Sequence, residues 1–85
     1  MPYQIKISDK ARNLLKKLSQ ELKEKMIIAI ETLAEQPRPK GCKKLKGYKD
    51  GYRIRMGKYR IIYEIKDKEL LIMVLNLGKR DKIYD

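Results

Sequence analysis

The sequence predicts an α+β fold: an N-terminal strand, an antiparallel hairpin of two helices, and a three-stranded antiparallel meander. Together these make a roughly four-stranded sheet with the helices on one face. Three observations lead there. Apolar residues recur at every second position near the start and again through residues 52–65, they recur at helical spacing between Ala11 and Leu33, and Gly57 interrupts the second alternation at its midpoint. At 85 residues the chain is a single domain, 1–85, near the size at which one core suffices without staples.

Each element follows in order. Tyr3, Ile5 and Ile7 alternate with Gln4 and Lys6, which is the pattern of a short strand. Ser8 is placed to cap a helix whose apolar stripe is Ala11, Leu14, Leu15 and Leu18, and Ser19 to cap a longer one with Leu22, Met26, Ala29, Ile30 and Leu33. Gln36-Pro37-Arg38-Pro39 ends the second helix, because proline lacks an amide hydrogen and disfavours a helical residue before it. Residues 40–50, rich in lysine and glycine, read as a loop anchored by Leu45.

Tyr52, Ile54 and Met56 then alternate with Arg53 and Arg55, and Tyr59, Ile61, Tyr63 and Ile65 with Lys58 and Arg60. A two-residue Gly57-Lys58 turn of type II′ sets Met56 opposite Tyr59, Arg55 opposite Arg60, Ile54 opposite Ile61 and Tyr52 opposite Tyr63. Asp67-Lys68 reads as a further tight turn, and residues 69–77 as a strand apolar on both faces. Such a strand belongs in the middle of a sheet, with the N-terminal strand on one side and the arginine hairpin on the other. Tyr52, Tyr59, Tyr63, Met26, Met56 and Met73 read as core, and Cys42 as an incidental thiol.

The formal charge is +11, and its position is informative. Residues 38–60 carry ten Lys/Arg against one Asp, whereas the flanks are nearly balanced. Like charges placed opposite each other destabilise a sheet, so an Arg55–Arg60 pair with Arg53 on the same face suggests a bound polyanion. A localised basic excess is the electrostatic footprint of a nucleic-acid binder.

Other chemistry is sparse. The chain has no histidine and one cysteine, which excludes Ser-His and Cys-His catalysis and the usual zinc sites. The acidic residues are scattered, and no Gly-rich nucleotide loop is present. Neither a metal nor a cofactor is expected. No apolar run reaches the roughly 18 residues of a membrane span, and the opening residues lack a secretion signal. A soluble cytoplasmic protein with no membrane partner is the expectation. Arginine, lysine and tyrosine suit a metal-independent cleavage of RNA, in which the substrate's own 2′-hydroxyl attacks the adjacent phosphate while the protein orients it and stabilises charge.

The ordered series Leu45-Lys46-Gly47, Tyr52-Arg53-Ile54-Arg55, Tyr59-Arg60-Ile61-Ile62-Tyr63-Glu64-Ile65, and Gly78-Lys79-Arg80 followed by Tyr84 resembles the RelE-type toxins of the RelE/ParE toxin–antitoxin superfamily over essentially the whole chain. The resemblance implies a ribosome-dependent mRNA endoribonuclease that cuts in the ribosomal A site, inhibits translation, contacts ribosomal RNA and is neutralised by a cognate antitoxin. It places Arg53 and Arg55 where the best-known members carry lysines, one of them the proposed general base. Arginine keeps the charge and loses the easy deprotonation, so both are assigned electrostatic roles. Arg60 matches the arginine that stabilises the transition state, Arg80 the one that assists the leaving oxygen, and Tyr84 a tyrosine that orients the substrate. Lys43, Lys44, Lys46, Lys58 and Lys79 are the accompanying candidates for RNA contacts. Two alternatives stand beside this reading: a ParE-like, non-enzymatic inhibitor of DNA gyrase, and a plain basic nucleic-acid-binding module.

Overall fold

The computed structural model describes residues 2–79. Its elements are β1 (Gln4–Ile7), α1 (Asp9–Lys16), α2 (Gln20–Glu35), β2 (Lys43–Lys44), β3 (Gly51–Met56), β4 (Tyr59–Lys66), a 3₁₀ turn (Asp67–Glu69) and β5 (Leu71–Lys79). Both serine caps form: Ser8 Oγ accepts from the Ala11 amide at 3.1 Å and Ser19 Oγ from the Leu22 amide at 3.3 Å. Each satisfies one of the amide groups that a helix start leaves without a partner.

The sheet has five strands in the order β1-β5-β4-β3-β2. β5 is central, as its apolar run implies, with β1 parallel on one side and β4 antiparallel on the other. The fifth strand is the departure from expectation. Lys43 and Lys44, within the stretch read as loop, pair with Arg53 and Tyr52. Two lysines carry no strand pattern of their own. They are held by the buried Leu45, whose amide donates to the Gly51 carbonyl at 2.9 Å and extends the ladder.

The β3–β4 register is the one the alternation requires, with Arg55 opposite Arg60 and Tyr52 opposite Tyr63. Gly57 takes φ +61°, and Leu70 alone among the described non-glycine residues has positive φ, so the turn carries the sign pattern of type II′. The β4–β5 connection is longer than the two residues expected: Lys66 pairs with Leu71, and residues 67–70 bridge them through the 3₁₀ turn and a left-handed Leu70.

Both helices cover one face. Ala11, Leu15, Met26, Ile30 and Leu33 pack with Ile61, Tyr63, Ile65, Ile72, Val74 and Leu77, while Tyr52, Ile54, Met56 and Tyr59 close the margin. The other face holds a smaller cluster of Leu45, Ile62 and Leu75. Among the described residues no helix is long and apolar enough to cross a membrane.

A polar clasp fastens one end of the sheet. Tyr3 donates to Asp67 Oδ1 at 2.6 Å, and Arg38 grips the same carboxylate with contacts of 3.4 and 2.8 Å while its Nε donates to the Tyr52 hydroxyl at 3.3 Å. The guanidinium and then the tyrosine hydroxyl hold the Asp67 carboxyl below its usual pKa. Beside them Tyr63 is fully buried and donates to the Pro37 carbonyl at 2.8 Å, and burial pushes its phenol well above the usual range.

Candidate nucleic-acid interface

Strand alternation separates the side chains of the arginine hairpin. Tyr52, Ile54, Met56, Tyr59 and Ile61 turn to the helices, so Arg53, Arg55 and Arg60 take the opposite face. Two neighbouring rungs cross the sheet there. One runs Lys43, Arg53, Ile62, Asn76, and the next runs Arg55, Arg60, Gly78. Arg60 is therefore flanked by a like charge on one side and by no side chain on the other.

Exposure divides the three arginines. Arg55 is exposed and Arg60 half-buried, whereas Arg53 is only 4% exposed. The Nε atoms of Arg53 and Arg60 are both shielded from solvent. Arg53 thus presents almost no surface to a ligand. The cluster of Leu45, Ile62 and Leu75 lies on this face as well, with Ile62 in the rung of Arg53 and Lys43.

The lysine candidates separate in the same way. Lys43 lies on the arginine face by register, and Lys58 is exposed in the hairpin turn next to the Arg55–Arg60 rung. Lys44 is opposite Tyr52, with its ammonium 5.6 Å from that ring's centroid, so it belongs to the helix face. Lys79 is opposite Tyr59 and falls on the helix side as well, at the exposed end of β5. Lys46 is exposed in the turn after Leu45. Arg38, another cation of the basic stretch, is committed to Asp67. Arg80 and Tyr84 lie outside the described residues.

β2 pairs with Tyr52 and Arg53 and then stops, so among the described residues no strand continues along the outer edge of residues 54–56. A cleft of ≈ 750 Å³ lies between this edge and α2, with Lys40, Lys43, Arg53 and Arg55 among its lining residues and Leu33 and Ile54 on its apolar side. The basic surface continues around the edge. No group of three or more His, Cys, Asp or Glu side chains able to hold a metal occurs among the described residues. Guanidinium groups on a common face, next to this groove, are suited to binding phosphate and to stabilising charge that develops on it.

One polar residue of this face was missed by the sequence reading. Asn76 sits among apolar residues in β5 and drew no attention there. The available signal was a break in alternation: Ile72 and Val74 are two apart, but the next core residue is Leu77, three further on.

Comparison with known proteins places these features in context. The family model described as the ParE toxin of type II toxin–antitoxin systems matches residues 5–84. The chain is 31% identical to the putative toxin RelE1 of Methanocaldococcus jannaschii, covering 99% of this chain and 97% of that protein. It is 27% identical to the mRNA interferase toxin RelE of Escherichia coli K12, covering 96% and 87%. Among solved structures, the archaeal RelE–RelB complex of Pyrococcus horikoshii matches with a TM-score of 0.84 at 30% identity, covering 98% of this chain and all of that one. The isolated E. coli RelE toxin matches with a TM-score of 0.78 at 26% identity, covering 91% and 83%.

Proposed function

The chain belongs to the ParE toxin family of type II toxin–antitoxin systems, within the RelE/ParE superfamily, and from that premise we propose that it is a RelE-type toxin that cleaves mRNA on the ribosome and is held in check by a cognate antitoxin. The observation that carries the cleavage reading is the rung of Arg55 and Arg60 on the face away from the helices, with Gly78 leaving room beside Arg60. Repulsion between two opposed guanidinium groups is relieved by a phosphate between them.

In this reading the RNA lies across the arginine face with one phosphodiester at Arg55 and Arg60. The 2′-hydroxyl gives its proton to water as its oxygen attacks phosphorus in line. The P–O5′ bond breaks to leave a 2′,3′-cyclic phosphate, the departing 5′-oxygen takes up a proton, and the negative charge that builds on the phosphorane is stabilised by the two guanidinium groups. Arg53, being buried, deepens the positive potential without touching the substrate. Lys43 and Lys58 hold adjacent phosphates. Arg80 and Tyr84 keep the roles that the resemblance assigns, assistance to the leaving oxygen and orientation of the substrate. The site of action is the cytoplasm, on mRNA in the ribosomal A site.

Inducing the protein in cells and mapping mRNA ends on translating ribosomes tests this, with Arg60→Ala induced in parallel. Breaks in phase with codons that vanish in the variant are expected. Intact messages with disturbed DNA supercoiling would instead establish the ParE-like alternative, inhibition of DNA gyrase.

A further inference from the structure

β5 contains an irregularity that does local work. Ile62 pairs with Asn76, but the next residue of β4, Tyr63, pairs with Val74, so Leu75 is the extra residue of a β-bulge. A bulge changes which face the following residues occupy. With strict alternation from Val74, Asn76 would enter the helix-side core and Leu77 the open face. The bulge reverses both: Leu77 is 1% exposed in the core, and Asn76 and Gly78 line up with Ile62 and Arg60 on the arginine face.

Asn76 is oriented there. β1 ends at Ile7, opposite Val74, and the Ser8 hydroxyl donates to the Leu75 carbonyl at 3.0 Å, so beyond this point that flank of β5 has no partner strand among the described residues. The Leu77 amide donates instead to Asn76 Oδ1 at 2.9 Å. With Oδ1 so engaged, the carboxamide nitrogen keeps both hydrogens for another acceptor. Asn76 is half-buried, and the next residue on its face of β5 is Gly78, the member of the Arg60 rung that adds no side chain.

We propose that Asn76 is a substrate-binding residue whose side-chain NH₂ donates to the RNA phosphodiester held by Arg55 and Arg60. The inference rests on the nuclease reading above and adds a neutral donor to it. Diagonal neighbours on adjacent strands lie about 7–8 Å apart. Arg60 is the diagonal neighbour of Asn76, and a separation of that size is within reach of a long side chain, so one phosphate can meet the guanidinium and the carboxamide from adjacent strands. A neutral donor also brings no further positive charge to a rung that already opposes two guanidinium groups.

The test is an NMR titration of the full chain with a non-cleavable 2′-O-methyl RNA, following the Asn76 Nδ2H₂ resonances, assigned by their loss in Asn76→Asp, together with the Arg60 guanidinium resonance. Both are expected to move along one saturation curve. Asn76→Asp keeps the acceptor for the Leu77 amide, so it is expected to melt with the wild type while binding RNA about tenfold or more weaker. Asn76→Ala, which introduces no charge, is expected to weaken binding in the same direction. An Asn76 resonance that stays fixed while that of Arg60 moves overturns the inference and leaves the nuclease reading intact. If neither moves, RNA does not occupy this face, and both are overturned.

Discussion

Replacing Lys43 with glutamine should flatten the salt dependence of RNA binding, and replacing the adjacent Lys44 should not. The register sets Lys43 on the face of Arg55 and Arg60, and Lys44 against the Tyr52 ring on the helix face. Arg53 is nearly inaccessible and is left out of the reckoning. Arg55 and Arg60 sharing one phosphate, with Lys43 and Lys58 each on a neighbouring one, neutralise three phosphates and give a log–log slope of about −2.1, from about −0.7 per phosphate on a single strand. Raising salt from about 50 to about 200 mM then weakens binding about 18-fold in the wild type and about 7-fold, at a slope of about −1.4, in Lys43→Gln. Lys44→Gln should keep the wild-type slope. Fluorescence anisotropy with a labelled 2′-O-methyl RNA at four or five salt concentrations measures all three. Equal slopes for wild type and Lys43→Gln, or flattening by Lys44→Gln alone, would refute the division of the basic residues between faces.

Two further predictions concern stability. Tyr63→Phe leaves the Pro37 carbonyl without its donor and should cost about 1 kcal/mol. That corresponds to a melting temperature lower by about 4–8 °C in a domain of this size, read by calorimetry at pH 7. Asp67, its carboxyl held low by Arg38 and Tyr3, stabilises the fold when ionised. The sign follows from the depressed pKa: the contribution is present above the unfolded value of about 4 and disappears as pH falls through the folded value. Wild type should therefore melt higher than Asp67→Asn at pH 7, and the gap should close in acid. A gap that widens on acidification would contradict the assignment.

Much of the sheet was legible because its cues are local. Period-2 alternation on both sides of Gly57 defined the β3–β4 register residue by residue, and a run apolar on both faces marked β5 as central. β2 escaped because a pair of lysines becomes a strand only through Leu45 and the edge of β3, both supplied by tertiary structure. The bulge at Leu75 escaped for a different reason: an apolar residue at every position from 70 to 75 hides a change of face. The same limit applied to the site. Alternation put Arg53, Arg55 and Arg60 on one face, but it says nothing of depth along that face, which tertiary packing decides, so Arg53 looked as available as Arg55. The link from Arg38 to Asp67, 29 residues apart, has no local signature at all.

The parallel pairing of β1 with β5 has a consequence for synthesis. Residues 4–7 are made first, yet their only strand neighbour, residues 71–74, is the last of the described strands to leave the ribosome. Chains lengthen at about 5–20 residues per second, so the first strand waits several seconds for its neighbour. The arginine hairpin can close earlier, but the strand that carries Asn76 and Gly78 and separates β1 from β4 is still absent. A ribosome translating this message consequently carries an unfinished sheet until the residues of β5 have been made.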